Sequence, residues 1–146
     1  MKDGWYVVNP NIVKADIGNM SLAYLPDKEA FFVMNETAGM LLTILEQGKS
    51  KANLVKALNT FYPKIEQRVK ERIVDSFIHL VLDNKIAKSS EESRISFAKI
   101  QLPGKVAVLD TPVISVYEKK WILQQHPDAV YDPKFSDLWS PAGNGS

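Results

Sequence analysis

The chain has 146 residues, 45% of them hydrophobic, with a formal net charge of +1. This length suits one ordinary globular domain with an appendage, and the near-neutral charge gives no sign of a surface built for polyanions. Cysteine is absent, which excludes disulfides, thiolate metal sites and cysteine nucleophiles. With neither a signal-peptide pattern nor an apolar run of membrane-spanning length, we expect a soluble cytoplasmic protein.

Short apolar segments separated by turn residues open the chain. They predict strands over Trp5–Val8, residues 12–17, Met20–Leu25 and Ala30–Met34. The first ends at Asn9-Pro10 and is interpreted as an edge strand or an anchoring arm. The other three are joined by Gly18-Asn19 and by turn chemistry over 26–29, and are predicted to form an antiparallel meander.

Three helices are predicted next, each with a start or stop signal. Asn35 is a suitable N-cap for the first helix, and Gly48 supplies the permissive backbone that ends it. Ser50 is a suitable cap for the second helix, which is closed by Tyr62-Pro63. The third helix is predicted over 64–84, because a proline is best tolerated at a first turn. Apolar residues recur at helical spacing in all three.

The apolar stripe of the third helix is wider than one core contact needs. Either its surplus side faces a binding groove, or the C-terminal extension covers it. Lys70 and Glu71 sit in an alternating charge pattern that is typical of a solvated helix face. In the preceding strand, consecutive Phe31 and Phe32 must point to opposite faces, so we expect one in the core and the other free for a partner.

A polar link separates this unit from the rest of the chain. We therefore divide the chain into a domain over 1–88, a linker over 89–94 and an extension over 95–146. Short strands are predicted at 95–102, 105–109 and 113–117, and a helical turn or two at 119–125. An irregular tail follows, in which Tyr131, Phe135 and Trp139 are the aromatic anchors.

The sequence offers no convincing catalytic or metal-binding set. His79 lies among apolar residues of the third helix, where a lone histidine is usually structural. His126 has Asp128 nearby, but a metal site generally needs three protein ligands, and Asp132 or Asp137 would have to fold back to join. The glycines are scattered, so no phosphate-binding loop appears. We expect no enzymatic activity, no cofactor and no bound metal.

Several motifs over residues 12–88 resemble the PqqD-like family, the peptide recognition element of pathways that modify ribosomally made peptides. An apolar strand runs into Asn35-Glu36-Thr37-Ala38, and Glu46-Gln47-Gly48-Lys49-Ser50 is similar to the family's link between helices. The Leu54-Val55-x-x-Leu58 helix ends at Tyr62-Pro63, and Leu82-x-x-x-Ile86 closes the match. Asn84-Lys85 departs from the family, which commonly has a glycine there.

The resemblance implies an α+β, winged-helix-type fold, in which a three-stranded antiparallel sheet is followed by three helices; here a C-terminal β-rich extension is added. It also implies non-catalytic binding of a precursor's leader peptide, which is presented to a separate modifying enzyme. The leader would add as a strand to the unpaired edge of Ala30–Met34, beside the third helix. The predicted groove residues are Phe31, Phe32, Val33, Met34, Val69, Arg72, Ile73, Ser76 and Phe77, and basic Lys64, Arg68 and Arg72 would attract acidic leader residues.

Two alternatives remain open at this point. Three helices beside strands also describe winged-helix DNA-binding regulators, although those usually show a basic footprint. Alternatively, residues 105–117 add a strand to the Ala30–Met34 edge. Within one molecule this gives autoinhibition, and between two molecules it gives a homodimer by strand exchange. The extension is equally suited to docking on the partner enzyme through its aromatic residues.

Overall fold

The computed structural model describes residues 5–17, 20–26, 30–90, 97–104 and 106–118. The strands are β1 Trp5–Val8, β2 Val13–Ile17, β3 Met20–Leu25, β4 Ala30–Met34, β5 Ala87–Ser90 and β6 Ile114–Glu118. The helices are α1 Glu36–Gly48, α2 Lys51–Phe61 and α3 Gln67–Asp83, and a short 3-10 helix spans Phe97–Lys99. The predicted α+β class, with a meander leading into three helices, is confirmed.

The strands within the described residues form two antiparallel sheets. The larger has the order β2-β3-β4-β6, so the predicted meander is extended by a strand from the C-terminal part of the chain. The smaller pairs β1 with β5. In addition, Tyr6 donates its N–H to the carbonyl of Lys49 at 2.7 Å, and Asn9 donates to the carbonyl of Ile86 at 2.8 Å. The N-terminal strand therefore ties the α1–α2 corner to the exit of α3, as an anchoring arm would.

The helix starts follow the sequence signals. The Asn35 side chain accepts from the Ala38 N–H at 3.0 Å, and Ser50 Oγ accepts from the Asn53 N–H at 3.1 Å. The end of α1 differs from the prediction. Lys49, not Gly48, has the left-handed backbone (φ 58°). Gly48 instead permits close packing, since a Cβ there would lie 2.8 Å from Cδ1 of Ile100.

The third helix begins three residues later than predicted. Pro63 lies in a turn closed by an N–H of Ile65 donating to the carbonyl of Tyr62 at 3.2 Å. Lys70, predicted to be solvated, is 4% exposed, and its ammonium donates to that same Tyr62 carbonyl at 3.2 Å. The prediction for Lys70 is wrong because the C-terminal end of α2, with its unsatisfied carbonyls, provides a partner for a buried cation. Glu71 is exposed, as predicted.

The core lies between the larger sheet and the helices. Phe32 and Met34 belong to this cluster, together with the apolar faces of α1, α2 and α3. Phe31 points to the opposite face, where it joins a second cluster with Ala15, Leu22 and Tyr24. Phe31 and Phe32 are 0% and 2% exposed. The two rings do alternate, but the expectation that one is free for a partner is wrong, because both faces of β4 are buried.

The extension packs onto the same core as the helices. Ile100 is 8% exposed and belongs to the main cluster, against which Leu102, Val106 and Leu109 also pack. The predicted strand over 113–117 is observed as β6. The predicted strands at 95–102 and 105–109 are not: within the described residues these stretches form the 3-10 helix and irregular chain. Their apolar side chains contact the core directly, and Pro103 cannot donate to a strand ladder.

Some predictions lie partly or wholly outside the described residues. Ser89 and Ser90, placed in the linker by the prediction, are the end of β5, while residues 91–96 are not described. The turn residues 18–19 and 27–29 and all predictions beyond residue 118 fall there too. Among the helices that the structure describes, none is long and apolar enough to cross a membrane.

Candidate functional site

The edge of β4 that faces away from β3 is occupied by β6. The two strands pair antiparallel from Ala30 opposite Glu118 to Met34 opposite Ile114. The expectation of an unpaired edge is therefore wrong for this chain, and the alternative, a tail strand on that edge, is confirmed within one molecule. The edge accepts a strand because β3 uses only the donors and acceptors on the other side of β4.

The hydrogen-bond phase of this edge follows from its last pair. Asn35 donates its N–H to the carbonyl of Val113 at 3.2 Å, which makes Asn35 and Val113 a bonded pair. Bonded and non-bonded pairs alternate along an antiparallel ladder. Val33 therefore directs its N–H and C=O at Ser115, and Phe31 directs its own at Tyr117. The backbone N–H and C=O groups of the intervening residues, Phe32 and Met34, point to β3 instead. The N–H groups of Ile114 and Val116 point away from β4.

Asn35 connects the edge to α1. Its side-chain oxygen caps the helix and also accepts from the Val113 N–H at 3.1 Å, while its amide nitrogen donates to the Thr111 carbonyl at 2.9 Å. Two residues on, Thr37 Oγ1 accepts from the Asp110 N–H at 3.0 Å. Every one of these contacts is to backbone, so the start of α1 holds an extended chain without reading its side chains.

The chain that leads to β6 is anchored at several points. We call residues 97–104 and 106–113 the strap. Gln47 and Gln101 exchange two hydrogen bonds, of 2.7 and 2.8 Å, between the Gln47 amide and the Gln101 backbone. Tyr62 donates its hydroxyl to the Val106 carbonyl at 2.6 Å, and burial raises the pKa of this phenol. Pro112 is buried at the far end.

The described side chains of β6 are less buried than Ile100 and Pro112, the two buried side chains of the strap. Ile114 packs against the main core and Tyr117 against the second cluster. Val116 lies opposite Phe32 but is 52% exposed. β6 is therefore held by its backbone ladder with β4 and by partly buried side chains.

The predicted groove residues fall into two groups. Phe31, Phe32, Val33 and Met34 form β4 itself. On α3, Val69 is 39% exposed, Arg72 is exposed and Ser76 is half-buried, whereas Ile73 and Phe77 are 8% and 0% exposed. The main neighbours of α3 are α1, α2 and β5, and Ile73 and Phe77 share the core with Phe32. Direct contact of the α3 residues with a leader stays a prediction.

A cleft of about 430 Å³ lies at the end of β4, not along α3. It separates the start of α1 from the strap, and its lining includes Met20, Asn35, Thr37, Val108 and Asp110. Sequence reasoning missed Asn35 and Thr37 as site residues. The Asn35 capping signal was visible, but capping alone does not reveal a second set of contacts with residues more than seventy positions away.

Within the described part of the chain, no three acidic, histidine or cysteine side chains lie together as metal ligands would. His79 is exposed on α3. His126, Asp128, Asp132 and Asp137 lie outside the described residues.

Comparisons with known proteins place the fold. No known family profile matches the chain, and no curated protein matches it. Among solved structures, it is similar to TbiB1, determined in complex with the TbiA(beta) leader peptide, with a TM-score of 0.52 and 16% sequence identity. The match covers 59% of this chain and 99% of TbiB1. This chain therefore contains a TbiB1-like fold together with additional residues.

Proposed function

We propose that this chain binds the leader region of a ribosomally made precursor peptide by strand addition to β4, and that it does so without catalysing a reaction. The observation that carries this proposal is the β4 edge, which accepts an extended segment over its full length. Its support is the TbiB1-like fold, since TbiB1 was solved with a leader peptide bound, and the resemblance of residues 12–88 to peptide recognition elements.

The contacts available at β4 suit a peptide recognised mainly through its backbone. Phe31, Val33 and Asn35 direct polar backbone groups at the added strand, and each such bond contributes about 0.5–1.5 kcal/mol net. Apolar side chains facing Phe32 on one side and the Tyr24–Phe31 pair, with ring centroids 4.4 Å apart, on the other would supply sequence preference.

A binding role of this kind acts by raising the local concentration of the precursor peptide. A leader held on β4 keeps the rest of the precursor near a separate modifying enzyme, which raises the effective substrate concentration without new chemistry. The partners we propose are therefore the precursor peptide and that enzyme, and the chain itself needs no cofactor.

Strand addition has a distinctive test, an N-methyl scan of the leader. The genes next to this chain's gene are searched for a short precursor, and its labelled leader is titrated against the full chain by fluorescence anisotropy. Methylating one backbone nitrogen at a time removes one donor and keeps the side chain. Because only alternate residues direct their N–H groups at β4, we expect affinity losses of about 2–10-fold at every second position and small changes between them.

The scan is run in parallel with Ser115→Pro, whose β6 lacks an N–H facing Val33, and with labelled duplex DNA as a comparison ligand. Losses without a period of two would contradict strand addition. The proposed function is wrong if neither the full chain nor Ser115→Pro binds the leader. Salt-sensitive binding of duplex DNA in place of the leader would favour the winged-helix regulator instead.

A further inference from the structure

We propose that β6 is a tethered, displaceable strand that keeps the β4 edge closed, and that a leader binds by replacing β6 while the strap stays in place. The proposal rests on the proposed function, because the leader is the competing ligand. The occupant is a defined segment of this chain, Ile114–Glu118, seated in full register on the edge. A peptide and β6 cannot use this edge at the same time.

The unequal anchoring of the extension identifies the part that moves. The strap has a buried side chain near each end, Ile100 and Pro112. Between them it is bonded to α1 and α2 through Gln47, Thr37 and Tyr62. Segments with buried apolar contacts open at high free energy, whereas those held by exposed backbone bonds open easily.

By the same criterion β6 is the weak part. Beyond the Asn35–Val113 bonds, it is held by its ladder with β4 and by the side chains of Ile114 and Tyr117, while Val116 is half exposed. The segment from residue 114 onward can therefore separate from β4 while Pro112 stays buried. In this proposal the strap stays fixed and β6 is the part that leaves β4.

The tether gives this closure a quantitative effect. A strand attached through a short segment competes at an effective concentration in the millimolar range. If β6 is paired in about 90–99% of molecules, leader affinity is weakened about 10–100-fold relative to an open edge. The consequence is selectivity, because only a peptide that outcompetes the chain's own strand is retained.

Two proline substitutions in adjacent residues test this directly. Ser115→Pro removes an N–H that faces Val33, whereas Val116→Pro removes one that points outward, so the second is a matched control for proline itself. We expect Ser115→Pro to raise leader affinity about tenfold or more and Val116→Pro to leave it within about twofold of the unsubstituted chain. Equal leader affinity for all three proteins would overturn the inference.

Amide hydrogen exchange in the free full chain tests it without any leader. If β6 opens alone, Val33, bonded to β6, exchanges about tenfold or more faster than Phe32, bonded to β3. The amide of Asp110, a strap residue that donates to Thr37 of α1, also exchanges more slowly than the amide of Ser115. Exchange of Val33, Phe32 and Asp110 at one common rate would show that β6 opens only with the whole domain, and would overturn the inference.

The two experiments separate the two proposals. Alternating exchange along β4 with no leader binding by any variant would support a displaceable strand and refute the leader as its competitor. Leader binding that leaves the Ser115 and Tyr117 amides protected would place the leader elsewhere on the chain, and would refute both strand addition to β4 and replacement of β6.

Discussion

Replacing Ile100 with alanine measures how much the packing of the strap on the core contributes to the free energy of unfolding. Ile100 is 8% exposed, and its Cδ1 lies where a Cβ on Gly48 would come within 2.8 Å. Large-to-small substitutions of buried isoleucine cost about 2–5 kcal/mol, depending on how well the site collapses. Because Ile100 lies in an irregular segment that can partly relax, we expect Ile100→Ala to lower the free energy of unfolding by about 2–3 kcal/mol.

The measurement is urea-induced unfolding, monitored by far-UV circular dichroism and by tryptophan fluorescence. Val108→Ala is the control, since Val108 lies on the same strap but is 66% exposed, and should change the free energy by less than about 0.5 kcal/mol. If Ile100→Ala falls within that same range, the strap does not contribute to the core, and the distinction between a fixed strap and a movable β6 fails.

Three further predictions concern the contacts around this frame. Asn35→Ala should cost about 2 kcal/mol in urea unfolding, against about 1 for Ser50→Ala, because Asn35 also holds the strap whereas Ser50 only caps; equal costs would contradict its double role. Burial raises the pKa of Tyr62 from its ordinary value of 10.0. The unfolded phenol then ionises first, so stability is present below pH 10 and is lost as the pH rises through the raised pKa; Tyr62→Phe should flatten this alkaline loss in pH-dependent melting. A hydrogen bond from Lys51 to the Asp75 carboxylate raises the pKa of Lys51, although burial opposes it. This contribution is lost only as the pH rises above about 10.5, and because the two side chains are 39% and 55% exposed, Asp75→Asn should cost less than about 1 kcal/mol at neutral pH and less still in high salt.

Local signals in the sequence predicted the elements well. The cap at Asn35, the cap at Ser50 and the apolar run of Ala30–Met34 each act within a few residues, and all three appear as predicted. The alternation of Phe31 and Phe32 also follows from strand geometry. What alternation cannot supply is burial, since that depends on what covers each face.

The features that sequence reasoning missed are non-local. Lys70 is buried because the end of α2 lies beside it, and Gly48 is constrained by a side chain from residue 100. The strap residues read as strands because they are apolar and flanked by proline. They contact helices instead, which no pattern of period two or 3.6 reveals. Pairing of a tail strand with the Ala30–Met34 edge was one of the predicted alternatives, and it is observed. The sequence alone did not decide between the alternatives, because strand pairing across eighty residues has no local signature.

The shared use of Asn35 has a consequence for how such chains diversify. Its oxygen caps α1 by accepting from Ala38, a bond within residues 35–38 that uses no group of the extension. The β4 edge and the start of α1 thus form a surface that is distinct from the strand, β6, that covers it. Substitutions in β6 can then change how strongly it pairs with β4 without altering the residues of β4 or α1.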